Sequence, residues 1–329
     1  MTTQHKSAPV LAVENLQTRL YSKRGVGYAV NDVSFELYAG QTLGLVGESG
    51  SGKSLTCLSV LRLNPQPASK VTGGKALFNG NDLLKMSDDE LRSYRGKHIA
   101  MILQDPMRAL NPVLTIGEQM NEALILHRQL QGEALHTAAC ELLEKVRIPN
   151  PAQGLRAYPH HFSGGMRQRV VGAMAMAGNP QVIIADEPTT ALDVTVQEEF
   201  LALLKQLQNE AGLGVLLVTH DFGVVTRMCD KVAVMYAGRI VELAETGELF
   251  DKPLHPYTQA LLKSVPDVSS REERLFSIEG QPPSVFAPLP GCAFAPRCPQ
   301  ATDRCRKERP EQVQIGNRKV SCWLYEEAL

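Results

Sequence analysis

An α/β fold around a parallel sheet is what this 329-residue sequence predicts. Three observations carry the prediction. Short runs dominated by apolar residues recur ("TLGLV" at 42–46, "HIAMIL" at 98–103, "QVIIAD" at 181–186, "GVLLVT" at 214–219), the pattern of strands covered on both faces. Helical periods separate them. Strand, helix and strand in that order imply right-handed crossovers in a parallel sheet.

Taken in order, Val33, Phe35 and Leu37 alternate as in a half-buried strand, and "TLGLV" follows as a buried one. A glycine-rich turn leads into a helix from about Lys53. "HIAMIL" is the next strand, and 115–146 read as two helices. Thr115 and Glu118 have capping-box spacing, with Ile116, Met120, Ala123 and Leu124 on one face. Ser163 is a good N-cap for a helix carrying Met166, Val170, Ala173 and Met174. Gly164 and Gly165 in its first turn are costly, about 1 kcal/mol each relative to Ala. Bare glycine amides at a positive helix end suit close contact with an anion. After "QVIIAD", Thr195 and Glu198 form a second capping-box pattern, ahead of inward-facing Phe200, Leu203, Leu204 and Leu207. "VAVMYAGRIVEL" (232–243) reads as a hairpin turning at Ala237-Gly238.

After about residue 264 the composition changes: eight of the twenty prolines fall in 266–329, so burial alone would not hold this segment and it needs a staple or a neighbour. The chain is 43% hydrophobic and 21% charged with a formal net charge of −1, which gives no electrostatic reason to expect nucleic acid. The first residues lack the apolar core of a signal peptide, and no run approaches a membrane span. A cytosolic protein is expected, one that reaches a membrane only through a partner. Cys57, Cys140 and Cys229 read as small core residues. Cys292, Cys298, Cys305 and Cys322 crowd the end with spacing C-x5-C-x6-C-x16-C, which in a cytosolic chain points to metal before disulfide. Four thiolates suit tetrahedral zinc or a [4Fe–4S] cluster, and the spacing does not decide.

"GESGSGKS", Gly47 to Ser54, matches G-x-x-x-x-G-K-[ST] between an apolar strand and a helix. Gly47, Glu48, Ser49, Gly50, Ser51 and Gly52 would wrap phosphates with backbone N–H groups, and Leu55 continues the helix start. Lys53 would reach the β- and γ-phosphates and Ser54 would ligate Mg²⁺. Asp186 and Glu187 end a buried strand; Asp186 would hold the Mg²⁺ shell and Glu187 would act as general base on water. Gln104 and His220 follow other strands and are candidates for metal or attacking water and for the γ-phosphate, respectively.

Read together, "GESGSGKS", "LQDP", "FSGGMRQR", "VIIADEP", "ALD" and "THD" resemble the ATP-binding subunits of ABC transporters over roughly residues 10–250. The resemblance implies a P-loop (RecA-like) core with an antiparallel β subdomain and an α-helical subdomain at about 105–170. It makes Gln104 the Q-loop residue, Ser163, Gly164 and Gly165 the signature, Asp193 the D-loop residue and His220 the switch histidine. Tyr21 (or Tyr28) would stack on adenine. Two subunits would meet head to tail, each signature helix capping the γ-phosphate held by the other's loop, and the "DPMRALNP" loop would face the permease. "HPYTQALL" (255–262) and "GCAFAPRCPQATDRC" (291–305) are similar to the ATPases of bacterial dipeptide and oligopeptide importers, whose relatives include nickel uptake systems. That similarity implies a cassette at 1–250 and a small cysteine-rich C-terminal domain at 251–329, with an iron–sulfur cluster favoured over zinc on the four cysteines. It also implies two permease subunits, a second similar ATPase, an extracytoplasmic binding protein, and a place on the cytoplasmic face of the inner membrane. The contrasting expectation is a soluble ABC ATPase acting on nucleic acid or ribosomes.

Overall fold

The apolar runs become strands in a computed structural model that describes residues 8–105, 109–190, 192–265, 276–287 and 289–328. Pro106, Met107 and Arg108 of the loop after Gln104, and Ala191 of the "ALD" stretch, lie outside the described residues. The strands are β1 Leu11–Ser22, β2 Gly25–Leu37, β3 Thr42–Val46, β4 Ser69–Phe78, β5 Asn81–Asp82, β6 Ile99–Ile102, β7 Val182–Asp186, β8 Gly214–Thr219, β9 Lys231–Tyr236, β10 Arg239–Glu245, β11 Val313–Ile315 and β12 Arg318–Val320. Among the described residues no helix is long and apolar enough to cross a membrane.

Backbone contacts divide the chain into two units. The first holds the chain up to Leu11, Leu37–Thr42 and Lys85–Val218. Its strands β6, β7 and β8 are parallel, with Ile102 opposite Ala185 and Asp186 opposite Val218. Every residue of β7 and β8 is buried, which is why both read as continuous apolar runs. The helices Ile116–Arg128 and Gly132–Lys145 match the expected pair, and the Thr115–Glu118 capping box forms, with both bonds present. Phe200, Leu203, Leu204 and Leu207 are buried along the helix Val194–Ala211. That helix starts earlier than the Thr195–Glu198 pattern suggests. Asp193 is its N-cap and accepts the Val196 N–H at 3.0 Å, so Thr195 and Glu198 lie inside the helix.

The second unit holds Ala12–Glu36, Leu43–Leu84 and Thr219–Leu329. One sheet has the order β2-β1-β4-β5, with β4 and β5 antiparallel. In the other, β9 pairs parallel with β3 and antiparallel with β10, giving the mixed character of the fold. The hairpin turns at Ala237 and Gly238, both in the left-handed region (φ 45° and 80°), as expected.

The expectation of a small separate cysteine-rich domain is corrected here. The hairpin β11–β12 adds to this same sheet, with Glu242 opposite Val320 and Leu243 opposite Lys319. Leu254, Val313 and Val320 form a buried cluster against which Cys322 and Tyr325 pack. The Arg304 guanidinium lies 3.6 Å from the Trp323 ring centroid, and the Trp323 indole N–H donates to the Glu308 carbonyl at 3.1 Å. Strand pairing and burial are the staples of the proline-rich end.

Candidate functional site

In the second unit the loop between β3 and the helix Lys53–Val60 is wound tightly. Gly52, the helix N-cap, has φ 103°, and a Cβ there would meet the Ala29 carbonyl at 2.4 Å, so only glycine fits. Ser51 N–H donates to the Glu48 carbonyl, and the Ser51 carbonyl accepts from Gly238. The buried Lys53 ammonium donates to the Gly47 carbonyl at 2.8 Å and the Glu48 carbonyl at 3.0 Å, so it spans the loop. Ser49, Gly50 and Ser54 stay exposed, and Leu55 is half-buried. The positive end of the helix Lys53–Val60 faces that exposed surface, the arrangement that receives phosphate.

The first unit gathers three of the expected catalytic side chains. Asp186 is buried at the carboxyl end of β7. Glu187 follows in a left-handed conformation (φ 45°), its N–H bonded to the Val218 carbonyl at 2.9 Å. A non-glycine residue held there is strained backbone at a candidate catalytic position. The Gln104 side-chain N–H donates to Glu187 Oε2 at 2.9 Å, and the Thr190 hydroxyl donates to the same oxygen at 3.1 Å. Thr190 escaped the sequence reading, although its place three residues after Glu187 is the signal that marks it. In the second unit, His220 is exposed directly after β8, and Asp221 caps the next helix by accepting from Gly223 at 2.7 Å.

Also in the first unit, Ser163 caps the helix Gly164–Met176 and accepts the Met166 N–H. The two glycines that follow have different reasons. At Gly164 an added Cβ would meet nothing within 4 Å, which leaves its face open to an approaching group. At Gly165 an added Cβ would lie 2.3 Å from Val196 Cγ1, so this glycine lets the signature helix seat against the helix that Asp193 caps. An ion pair between Arg169 and Glu199 ties the same two helices. Tyr21 and Tyr28 are both exposed, 44% and 47%, and the Arg19 guanidinium covers the Tyr28 ring at 4.5 Å.

The pattern of the ABC transporter family matches residues 30–190, and that of the oligopeptide/dipeptide transporter C-terminal region matches 241–305. The dipeptide transport ATP-binding protein DppD of Bacillus subtilis (strain 168) is 47% identical over 97% of this chain and 95% of its own length. This chain belongs to the ABC transporter ATP-binding family. It is an ATPase of that family, with the mixed α/β cassette fold. The oligopeptide transport ATP-binding protein OppD of the same organism is 46% identical over 96% of this chain and 88% of its own length. Among solved structures, the dimeric post-hydrolysis state of the ATP-binding cassette MJ0796 bound to ADP and Pi has TM-score 0.64 at 29% identity. It covers 72% of this chain and 98% of that one.

One expectation fails. Among the described residues no group of three or more His, Cys, Asp or Glu side chains is placed to hold a metal ion, so the iron–sulfur or zinc site at Cys292, Cys298, Cys305 and Cys322 is withdrawn. Burial pushes the Cys292 and Cys298 thiols up and the Cys322 thiol up to about 11. Cys305 Sγ shares a hydrogen bond with the Thr302 hydroxyl at 3.3 Å.

Proposed function

We propose that this chain energises a bacterial importer of di- or oligopeptides, or of related peptide-like or nickel substrates. The carrying observation is similarity along nearly the whole chain to a dipeptide transport ATP-binding protein, including a matched C-terminal region. On this reading the cassette occupies about 1–250, with antiparallel β and α-helical subdomains, and the peptide-importer extension 251–329. It docks on two permease subunits at the cytoplasmic face of the inner membrane, beside a second, similar ATPase, and is served by an extracytoplasmic binding protein. It does not act on nucleic acid.

Gly47 to Leu55 would cradle the phosphates of ATP, with Tyr21 stacking on adenine and His220 near the γ-phosphate. Ser54, Gln104 and Asp186 offer a hydroxyl, an amide and a carboxylate, the hard oxygen donors that Mg²⁺ takes. Gln104 spends its amide N–H on Glu187, which leaves its oxygen as the end for a cation. Bound there, Mg²⁺ supplies neutralisation of phosphate charge. Glu187, aimed by Gln104 and Thr190, accepts the proton of the attacking water. Ser163, Gly164 and Gly165 cap a γ-phosphate held by the partner subunit, so ATP favours the closed pair and hydrolysis releases it. Asp193 lies at that same junction.

Extraction from membranes in mild detergent tests the assignment. Co-purification with two permease subunits and a second ATPase is expected. A chain that leaves the membrane alone and shifts a nucleic-acid band would overturn it.

A further inference from the structure

Two side chains of the C-terminal region, Tyr257 and Arg297, reach the phosphate loop. Arg297 closes the short turn Ala295–Arg297, and its side chain is 5% exposed. Its Nε donates to the Glu279 carbonyl at 2.9 Å. One terminal nitrogen donates to Glu48 Oε2 at 2.7 Å and the Tyr236 hydroxyl at 3.2 Å; the other donates to Glu48 Oε1 at 3.0 Å and the Ile278 carbonyl at 3.2 Å. This is a two-pronged guanidinium–carboxylate pair, the geometry that binds most strongly.

Glu48 is the second residue of "GESGSGKS". Its N–H donates to the Tyr257 hydroxyl at 2.9 Å and its carbonyl accepts from Lys53 at 3.0 Å. Tyr257, Tyr236 and Phe294 pack as a buried aromatic wedge with ring centroids 4.5, 5.4 and 5.3 Å apart. Two of the three groups on Glu48 are therefore held from beyond residue 250. A carboxylate on a loop that receives a triphosphate repels its ligand unless a cation cancels it. Arg297 is that cation.

We propose that Arg297 is a positioning residue for ATP hydrolysis: it neutralises and fixes Glu48, and so sets the phosphate loop for nucleotide from the C-terminal region. This rests on the reading of Gly47–Ser54 as the ATP site. The loop is pre-shaped rather than shaped by its ligand, which lowers the ordering cost of binding. In the same way the C-terminal region becomes a determinant of nucleotide affinity without touching nucleotide.

The test is equilibrium binding of ATP to the full chain at low and moderate salt, with Lys53→Ala as control. Arg297→Gln is expected to raise Kd for ATP about tenfold and to steepen its salt dependence, because the Glu48 carboxylate is left uncancelled. Adding Glu48→Gln to Arg297→Gln removes that charge and is expected to return Kd to within about threefold of wild type. KM should move more than kcat. A merely structural clamp lowers unfolding temperature in both variants and gives no such recovery. A Kd for Arg297→Gln equal to wild type, or a double variant as weak as the single, overturns the proposal. Should Arg297→Gln not fold, Glu48→Gln alone decides: its Kd is expected below wild type, because the Arg297 charge is then uncancelled, and a Kd at or above wild type refutes the charge argument. A wild-type chain that binds ATP no better than Lys53→Ala would instead overturn the site assignment itself.

Discussion

His255 makes stability depend on pH in a way the structure lets us calculate. It caps the helix Pro256–Lys263 and is buried, its Nδ1 accepting the Tyr257 N–H at 3.0 Å. The neutral ring therefore carries its proton on Nε2, which has no hydrogen-bond partner among the described residues. Glu242, also buried, takes the Leu254 and His255 N–H groups at 2.8 and 2.9 Å and so stiffens the same turn. Burial lowers the His255 pKa from 6.5 to about 3. The folded value lies below the unfolded one, so protons prefer the unfolded chain. The stabilisation is full above 6.5 and is lost as pH falls toward the folded value. Moving from about pH 7.5 to about pH 5 removes about 2 kcal/mol, a figure fixed by the unfolded pKa while the folded one stays below 5. Urea unfolding of wild type and His255→Asn at both values measures it. The asparagine oxygen keeps an acceptor for Tyr257, and all other titrations cancel between the two proteins. The wild-type advantage should shrink by about 2 kcal/mol on acidification. Parallel pH slopes in the two proteins would refute the burial argument.

Glu187→Gln should retain ATP binding while lowering steady-state turnover by about 100-fold or more, the usual weight of a general base; unchanged turnover removes Glu187 from that role. Gly165→Ala drives a methyl onto Val196 and should cost about 1–3 kcal/mol in chemical unfolding. Val196→Ala in the same chain should recover most of that loss, whereas an additive double variant would show that the clash is not the cause. Thr115→Ala removes the hydroxyl that accepts the Glu118 N–H and donates to the Glu118 carboxylate, keeps the Thr115 N–H on that carboxylate, and should cost about 1 kcal/mol, read from the shift in urea midpoint.

What could be read from residues alone follows from the range of the interactions. β3, β7 and β8 were legible because both their faces are buried, so every residue carries the signal. The phosphate loop and signature helix were legible for a similar reason: glycines and caps act within a few residues. The helix start near residue 194 was misread because two caps compete there. Thr195–Glu198 has the spacing, but Asp193 lies at the point where the chain enters the helix, and its carboxylate takes the bond. At Gly165 the local argument about bare amides was incomplete, since the decisive neighbour is Val196 on another helix.

The C-terminal region marks the limit of local reading. A proline-rich segment with four cysteines has the composition of a metal-stapled tail, and composition cannot register what the segment packs against. Here β12 finds β10, Val313 and Val320 find Leu254, and Arg297 finds Glu48 across 249 residues of chain. Among its described residues the segment spends the near-buried Arg297 guanidinium on the phosphate loop: the bidentate pair and the aromatic wedge fix it at the loop end, and the strand pairing fixes it at the sheet edge. The same contacts give the loop a rigid wall. Order in the tail and order in the phosphate loop are therefore one physical property, and a substitution that loosens either should loosen both.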